Sequence, residues 1–373
     1  MSDTIRGNKG EWSEIYALFK LIADGTLQKG DSGLLPATGE QYRILRLFKE
    51  DKNTETVYKV EDEEVTISRE ESTTVSSRSV FESKARQLLE EIKKKRSKPE
   101  LRNGTFVLPQ IEAFMNQALT YSIKAGSANK TDLSVEILDH RTSQEQKRGF
   151  SIKSQLGSPS TLFNASGINS CFRYHLESES MSEILEVNNI DSKSKIQDRV
   201  IKLESLCAKG KLRIHRDGPT KECFLHNLIM IDDGLPDIFS SLLWNAYKHR
   251  QSNVGAACRL VSKENPRKYS FGDLQTIYTR KIKQFLVASA LGMTAAHEWD
   301  GQYETTGGYI VVLRSGDIIS YHFYDTAEFE NYLFENTKLE SPSSTKTKHA
   351  FATVRQELGK CFFDLCLQIR FTH

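Results

Sequence analysis

Two runs of alternating apolar and polar residues mark the centre of the chain. Over 132–138, Leu133, Val135 and Ile137 fall on one side of a strand, with Asp132, Ser134 and Glu136 on the other. Over 149–156, Phe150, Ile152 and Leu156 point one way, and Ser151, Lys153 and Gln155 the other. The charged stretch 139–148 reads as the loop joining them into a hairpin. A loop centred near Ser143 places Asp132 opposite Lys153 or Gln155, and Glu136 near Ser151.

Helical spacing is clear near the start. Trp12, Ile15, Tyr16, Leu18, Phe19, Leu21 and Ile22 cover a wide arc, Ser13, Ala17, Lys20 and Asp24 lie opposite, and Gly25 supplies a stop. Glu11 and Glu14 fall inside the apolar arc. Carboxylates are seldom buried without a partner, so their position points to a metal, another cation or chemistry close to DNA. Acids in a first turn also suit the helix dipole, a plainer explanation that fits Glu11 better than Glu14.

Short β-like runs follow at 42–48, 56–60 and 65–67, with turn residues at 51–53 and no evident chemistry. The Ser/Thr/Glu-rich stretch 68–79 reads as a loop. Helices are expected through Phe81, Ala85, Leu88, Leu89 and Ile92, whose basic end at 93–96 reads as a solvated last turn, and through Ile111, Phe114, Met115 and Ala118. Helical spacing recurs at 181–187, 196–207, 224–230, 238–247 and 278–291. Near the end, 308–313 and 318–324 flank Arg314-Ser-Gly-Asp317 as a second hairpin. Repeats, heptads and a glycine-rich phosphate loop are absent from the sequence.

Composition narrows the class. The chain has 373 residues, 38% hydrophobic and 27% charged, the make-up of a soluble protein with two or three cores. No run has the length of a membrane span and the first residues lack a signal-peptide core, so a cytoplasmic protein is expected. The six cysteines form no C-x-x-C pair and mostly sit among apolar neighbours, which predicts reduced core thiols and no zinc site. A net charge of +2 neither requires nor forbids nucleic acid, because a nuclease needs only a local basic channel.

The candidate chemistry lies on the polar face of the central hairpin. Phosphodiester hydrolysis uses a divalent cation to polarise the phosphate and acidify a water, and Mg²⁺ takes hard oxygen ligands such as Asp132. Lys153 can orient that water or neutralise developing charge. Such a pair is the content of the PD-(D/E)xK pattern, but here the triplet is Ser151-Ile152-Lys153, with Ser151 where an acid is usual. Taken alone, such a match more often marks a solvated hairpin. Gln155 can orient water but brings no charge. Glu136, at ~3.3 Å per residue, lies about 13 Å along its strand from Asp132, so Glu14 is the expected second metal-binding carboxylate. Ser158, Thr161, Asn164 and Ser166 crowd the loop after the hairpin, and Lys338, Lys346, Lys348 and His349 a later one. With Lys9 they are the candidate DNA contacts, although both stretches also have the composition of plain loops.

Several separated motifs occur in one order over nearly the whole chain. They are Gly7-Asn-Lys-Gly-Glu-Trp-Ser-Glu-Ile-Tyr16 with Asp24-Gly25, Ile123-Lys-Ala with Lys130-Thr-Asp132, and the stretch 149–157 with Thr161-Leu-Phe-Asn-Ala-Ser166. Gly308-Tyr-Ile310, Tyr321-His-Phe-Tyr324 and Asn336-Thr-Lys338 complete the set. On these residues the sequence resembles the HpaII family of type II restriction endonucleases. The resemblance implies a Mg²⁺-dependent enzyme of a restriction-modification system that cuts double-stranded DNA at CCGG, and a family pattern that also reads Ser-Ile-Lys.

The expected fold is therefore α/β. A PD-(D/E)xK restriction-endonuclease-like core, a mixed twisted sheet flanked by helices, occupies 1–178. A helical middle region and a C-terminal β hairpin region, in 179–373, serve DNA recognition and complete a clamp. The expected partner is duplex DNA; a palindromic site also invites a two-fold dimer, with a monomer acting twice as the alternative. A cognate methyltransferase belongs to the system without being bound. Two other readings stay open on the residues alone: a structure-selective repair or junction nuclease, and a DNA-binding protein without cleavage.

Overall fold

A computed structural model describes residues 4–51, 53–95, 104–123, 131–139, 144–303, 307–322, 325–341 and 351–372. Two compact units are present, neither contiguous in sequence. The first comprises 1–160 with 303–332, the second 161–302 with 333–372. This division differs from a single cut near residue 178, because the chain returns to the first unit after leaving it.

The first unit opens with α1 (Lys9–Asp24), followed by β1 (Thr26–Gly30), β2 (Pro36–Asp51), β3 (Thr54–Val60), β4 (Glu64–Arg69) and β5 (Ser72–Ser77). Two helices come next, α2 (Arg78–Lys94) and α3 (Pro109–Gln117), and then the central hairpin, β6 (Leu133–Asp139) and β7 (Gln144–Ser154). In the second unit lie β8 (Thr161–Phe163), β9 (Cys171–Glu177), α4 (Met181–Leu185), α5 (Lys195–Ala208) and β10 (Arg213–Pro219). They are followed by α6 (Glu222–Ile231), α7 (Leu235–Lys248), α8 (Val254–Glu264) and α9 (Leu274–Leu291). The chain then returns for β11 (Gly308–Val312), β12 (Ile318–His322) and most of α10 (Thr326–Glu335). It ends in the second unit with β13 (Thr337–Leu339), β14 (Val354–Glu357), β15 (Lys360–Cys366) and β16 (Ile369–Phe371).

The large sheet runs β1-β12-β11-β7-β6-β2-β3-β4-β5, and β1 also pairs with β2. The α/β class and the mixed sheet are as expected, and the sheet has a further feature: six strands close on themselves and three extend outward. Closure depends on the length of β2. Its residues 36–43 pair with β1, 43–48 with β6, and 46–51 with β3. Among the described residues, β1–β12 and β7–β11 are the parallel pairs of this sheet. Between Ile44 and Arg46 the β2–β6 register slips, so Leu45 is an extra residue. A bulge of this kind reverses which alternate residues face inward. Tyr42 and Ile44 are buried before it, Leu47, Lys49 and Asp51 after it.

Helix α1 is walled in. Asn8 and Glu11 form a reciprocal capping box, and Gly25 ends the helix in a left-handed conformation. It packs against α2 and against β1, β2, β7 and β12. Ser13 and Ala17, expected on a polar face, are fully buried for that reason. The stretch 68–79 is not a loop either. β4 and β5 pair through a tight turn at Glu70 (φ 51°), with the Ser68 and Thr73 hydroxyls 3.3 Å apart, and α2 starts at Arg78. Thr73, Thr74 and Val75 carry the strand preference that the neighbouring glutamates hide.

The second unit holds two small antiparallel sheets, β10-β9-β15-β14 and β13-β16-β8. Among its buried side chains, Phe163, Phe224 and Phe285 are in ring contact, as are Phe239 and Phe285. The expected helices are present, together with α8, whose small residues Gly255 and Ala257 mask its periodicity. Cys171 and Cys366, paired across β9 and β15, form a disulfide, which corrects the expectation of six reduced thiols. Nothing in the local sequence announces it: the two cysteines are 195 residues apart and meet only through strand pairing. Among the described residues no helix is long and apolar enough to cross a membrane.

Candidate active site

The ladder between β6 and β7 pairs Leu133 with Phe150 and Glu136 with Lys147. This is two to four residues away from the expected register. Just before β6, the Asp132 amide donates to the Phe150 carbonyl at 2.9 Å, so Asp132 lies across from Ser151 rather than Lys153. An even slip leaves every side chain on its own face, and the polar groups still meet. Asp132 Oδ2 accepts from Ser151 Oγ at 3.1 Å and from the Ile152 amide at 2.7 Å. Lys153 Nζ donates to Ser151 Oγ at 3.0 Å and lies 4.8 Å from the centroid of the Tyr309 ring.

Glu14 reaches the same cluster from α1. The Ser154 hydroxyl donates to Ser13 Oγ at 2.8 Å, which ties the first turns of α1 to the end of β7. Burial, then the negative charge of Asp132, pushes the Glu14 carboxyl up to about 8, against the opposing pull of Lys49 and Lys153. Its Oε2 is buried and has no hydrogen-bond partner among the described residues. Such an atom costs stability unless something outside the chain satisfies it. Glu11 is different, for its Oε2 accepts from the Asn8 amide at 2.8 Å as the acid of the capping box.

Lys49 and Asp51 are additions that sequence reasoning missed. Lys49 is only 3% exposed, and burial lowers its pKa while Glu14, Asp51 and Asp132 pull the other way. Asp51 accepts from the Tyr121 amide at 2.8 Å, and Arg69 Nη2 donates to its backbone carbonyl at 3.0 Å. The available signal was a buried face continued from Leu47 through two charged residues, but it emerges only once the bulge at Leu45 is known.

The remaining candidates are placed as follows. Gln155 Oε1 accepts from the Arg314 amide at 3.3 Å and so holds the β11–β12 turn. Glu136 faces Lys147 across the ladder and stands 3.4 Å from Arg46 Nε. Lys9 is the first residue of α1, beside Gly157, and Ser158 is exposed in the loop after β7. Thr161 sits on β8, Asn164 Oδ1 accepts from the Ser166 amide at 3.4 Å, and Lys338 lies on β13, all in the second unit. Lys346, Lys348 and His349 lie outside the described residues.

The donor set suits a hard divalent cation. Among the described residues no three His, Cys, Asp or Glu side chains converge as a ready-made cage. Mg²⁺ asks for less, one or two carboxylates with water and substrate phosphate, which Asp132 and the orphaned oxygen of Glu14 can supply.

Two carboxylates and a serine-held lysine grouped around strand ends are the equipment of a phosphodiester-cleaving nuclease. Comparison with known proteins narrows that class: the family model described as HpaII restriction endonuclease matches residues 8–371, and the chain belongs to this family. It is 37% identical over 377 residues, covering all of both chains, to Type II restriction enzyme HpaII of Haemophilus parainfluenzae. No solved structure matches it. The protein is a type II restriction endonuclease, an enzyme that binds DNA and cleaves it site-specifically within restriction-modification.

Proposed function

We propose that this enzyme cuts double-stranded DNA at CCGG by Mg²⁺-dependent hydrolysis of the PD-(D/E)xK type, with Asp132 and Glu14 as the metal-binding carboxylates. One observation carries the assignment: Glu14, on an apolar helix face, has a buried oxygen without a partner among the described residues and feels the charge of Asp132. A bound Mg²⁺ supplies polarisation of the scissile phosphate and a more acidic water.

The protein's own groups do the rest. Asp132 is fixed at Oδ2 by two donors, Ser151 Oγ and the Ile152 amide. Lys153, held at Ser151 Oγ, places a positive charge where the attacking water and the phosphate oxygens must come together. Ser151 thus orients both residues and binds nothing itself. Lys49 balances the acids from the buried side. Base reading is assigned to Ser158 and to the second unit through Thr161, Asn164, Ser166 and Lys338, with Lys346, Lys348 and His349, because guanine edges and phosphates call for such donors. Lys9 is assigned to phosphate. A two-fold dimer matched to the palindrome, a cytoplasmic location and a partner methyltransferase acting on the same site complete the proposal.

Incubating the protein with plasmid DNA and Mg²⁺ and sequencing the ends tests it. Ends within CCGG support the assignment; ends at another sequence remove the site, and cutting only at branched DNA removes the restriction reading.

A further inference from the structure

The motif Gly308-Tyr-Ile310 has no part in the cluster of acids, yet it borders it. β11 runs parallel to β7, with Tyr309 beside Ser151 and Val311 beside Lys153. The approach is enforced by two glycines. The Gly307 amide donates to the Gly149 carbonyl at 2.8 Å, and a Cβ on Gly307 would stand 2.7 Å from that same oxygen. A Cβ on Gly308, whose φ is +116°, would stand 2.1 Å from the Tyr321 carbonyl. Only residues without side chains let β11 enter between β7 and β12 at this height.

The consequence is the position of one ring. Tyr309 is 2% exposed, with Phe329 packed edge-on at 5.3 Å and the Lys153 ammonium at 4.8 Å from its centroid. Packing against Phe329 alone could be met by leucine. An ammonium facing the ring calls for an aromatic, since the quadrupole of the ring attracts a cation most where water is excluded.

We propose that Tyr309 is a positioning residue for cleavage, its ring and the Ser151 hydroxyl together fixing the Lys153 ammonium beside Asp132. This rests on the reading of Lys153 as a group of the cleavage reaction. Lysine has a flexible four-carbon stem, and two contacts of different kinds, one hydrogen bond and one ring, leave its charge in a single place. The effect should therefore fall on the chemical step and spare DNA binding.

The test varies the electronics of the ring at nearly constant shape. Phenylalanine, 4-fluorophenylalanine, 3,5-difluorophenylalanine and pentafluorophenylalanine are placed at position 309 in the full chain. Single-turnover cleavage of a CCGG duplex, KM for that duplex and thermal unfolding are measured for each, with Lys153→Met alongside. Phenylalanine should stay within about threefold of the parent. Pentafluorophenylalanine should be at least ~10-fold slower than phenylalanine, with intermediate rates between, the span expected when a desolvated cation–π contact is lost. KM should move by less than about twofold, and Lys153→Met alone should abolish cleavage, which traces the slowing to the lysine that the ring holds. A flat series with Lys153→Met inactive overturns the positioning role alone. A Lys153→Met enzyme that cleaves at the parental rate overturns the reading of Lys153 and this role with it.

Discussion

Ser151 donates its hydroxyl to Asp132 Oδ2 at 3.1 Å, so the residue occupying the usual acid position of the triplet is bonded to the acid that remains. Ser151 Oγ in turn accepts from Lys153 Nζ at 3.0 Å. Ser151→Ala should cut the cleavage rate about tenfold or more by releasing both neighbours, with DNA affinity in Ca²⁺ unchanged. Parental cleavage by this variant would mean that Asp132 and Lys153 are held by other contacts.

Asp132→Ala and Lys153→Ala should each abolish cleavage and leave folding and most DNA binding intact, since both side chains are partly exposed and outside the hydrophobic core. Gel-shift and unfolding measurements separate the two effects. Either variant cutting within about tenfold of the parent, ~1.4 kcal/mol in barrier height, contradicts its assignment.

Lys49→Met keeps the volume of the stem and removes a buried charge that faces Glu14, Asp51 and Asp132. Asp51 and the buried oxygen of Glu14 then lose a counter-charge that solvent does not replace. Cleavage should fall by at least ~10-fold, and Lys49→Arg should restore little, because the guanidinium does not fit a site that leaves the residue 3% exposed. Full activity in Lys49→Met would reduce the residue to packing.

Glu14 makes stability depend on pH. Its folded-state pKa, about 8, lies above the ordinary 4.5, so the folded protein holds this proton more tightly than the unfolded chain. The stabilisation is complete below pH 4.5 and is lost as pH rises through 8. Lys49 contributes in the opposite sense, since its lowered pKa yields stability above 10.5 that is lost as pH falls. Without divalent ions, Glu14→Gln should therefore gain in Tm relative to the parent between pH 5 and pH 8, a window set by the raised Glu14 pKa. Parallel Tm profiles would show that Glu14 titrates normally.

How much of this was legible follows from what each feature depends on. α1 and the β6–β7 faces are written in local periodicity, which is why Glu14, Asp132, Ser151 and Lys153 could be singled out before their geometry was known. The observed register lies two to four residues from the one the periodicity predicts, because β7 begins closer to the turn than the charged residues at 144–148 suggest. Lys49 and Asp51 were hidden by a single extra residue, Leu45, which reverses the pattern after it. Sheet closure was hidden for a different reason: the pairing of β1 with both β2 and β12 joins segments about 290 residues apart, a relationship no window of sequence contains. The Cys171–Cys366 bond is invisible on the same grounds.

The claim on which the rest depends is that Glu14 supplies the carboxylate that Ser151 lacks. Single-turnover cleavage of a CCGG duplex over a range of Mg²⁺ concentrations, with Glu14→Gln and Glu136→Gln beside the parent, tests it most directly. Glu14→Gln should be at least ~100-fold slower and need more Mg²⁺, the scale of losing a principal electrostatic contribution, while Glu136→Gln should cut normally. Normal cutting by Glu14→Gln together with failure of Glu136→Gln would move the second ligand onto β6 and contradict the account.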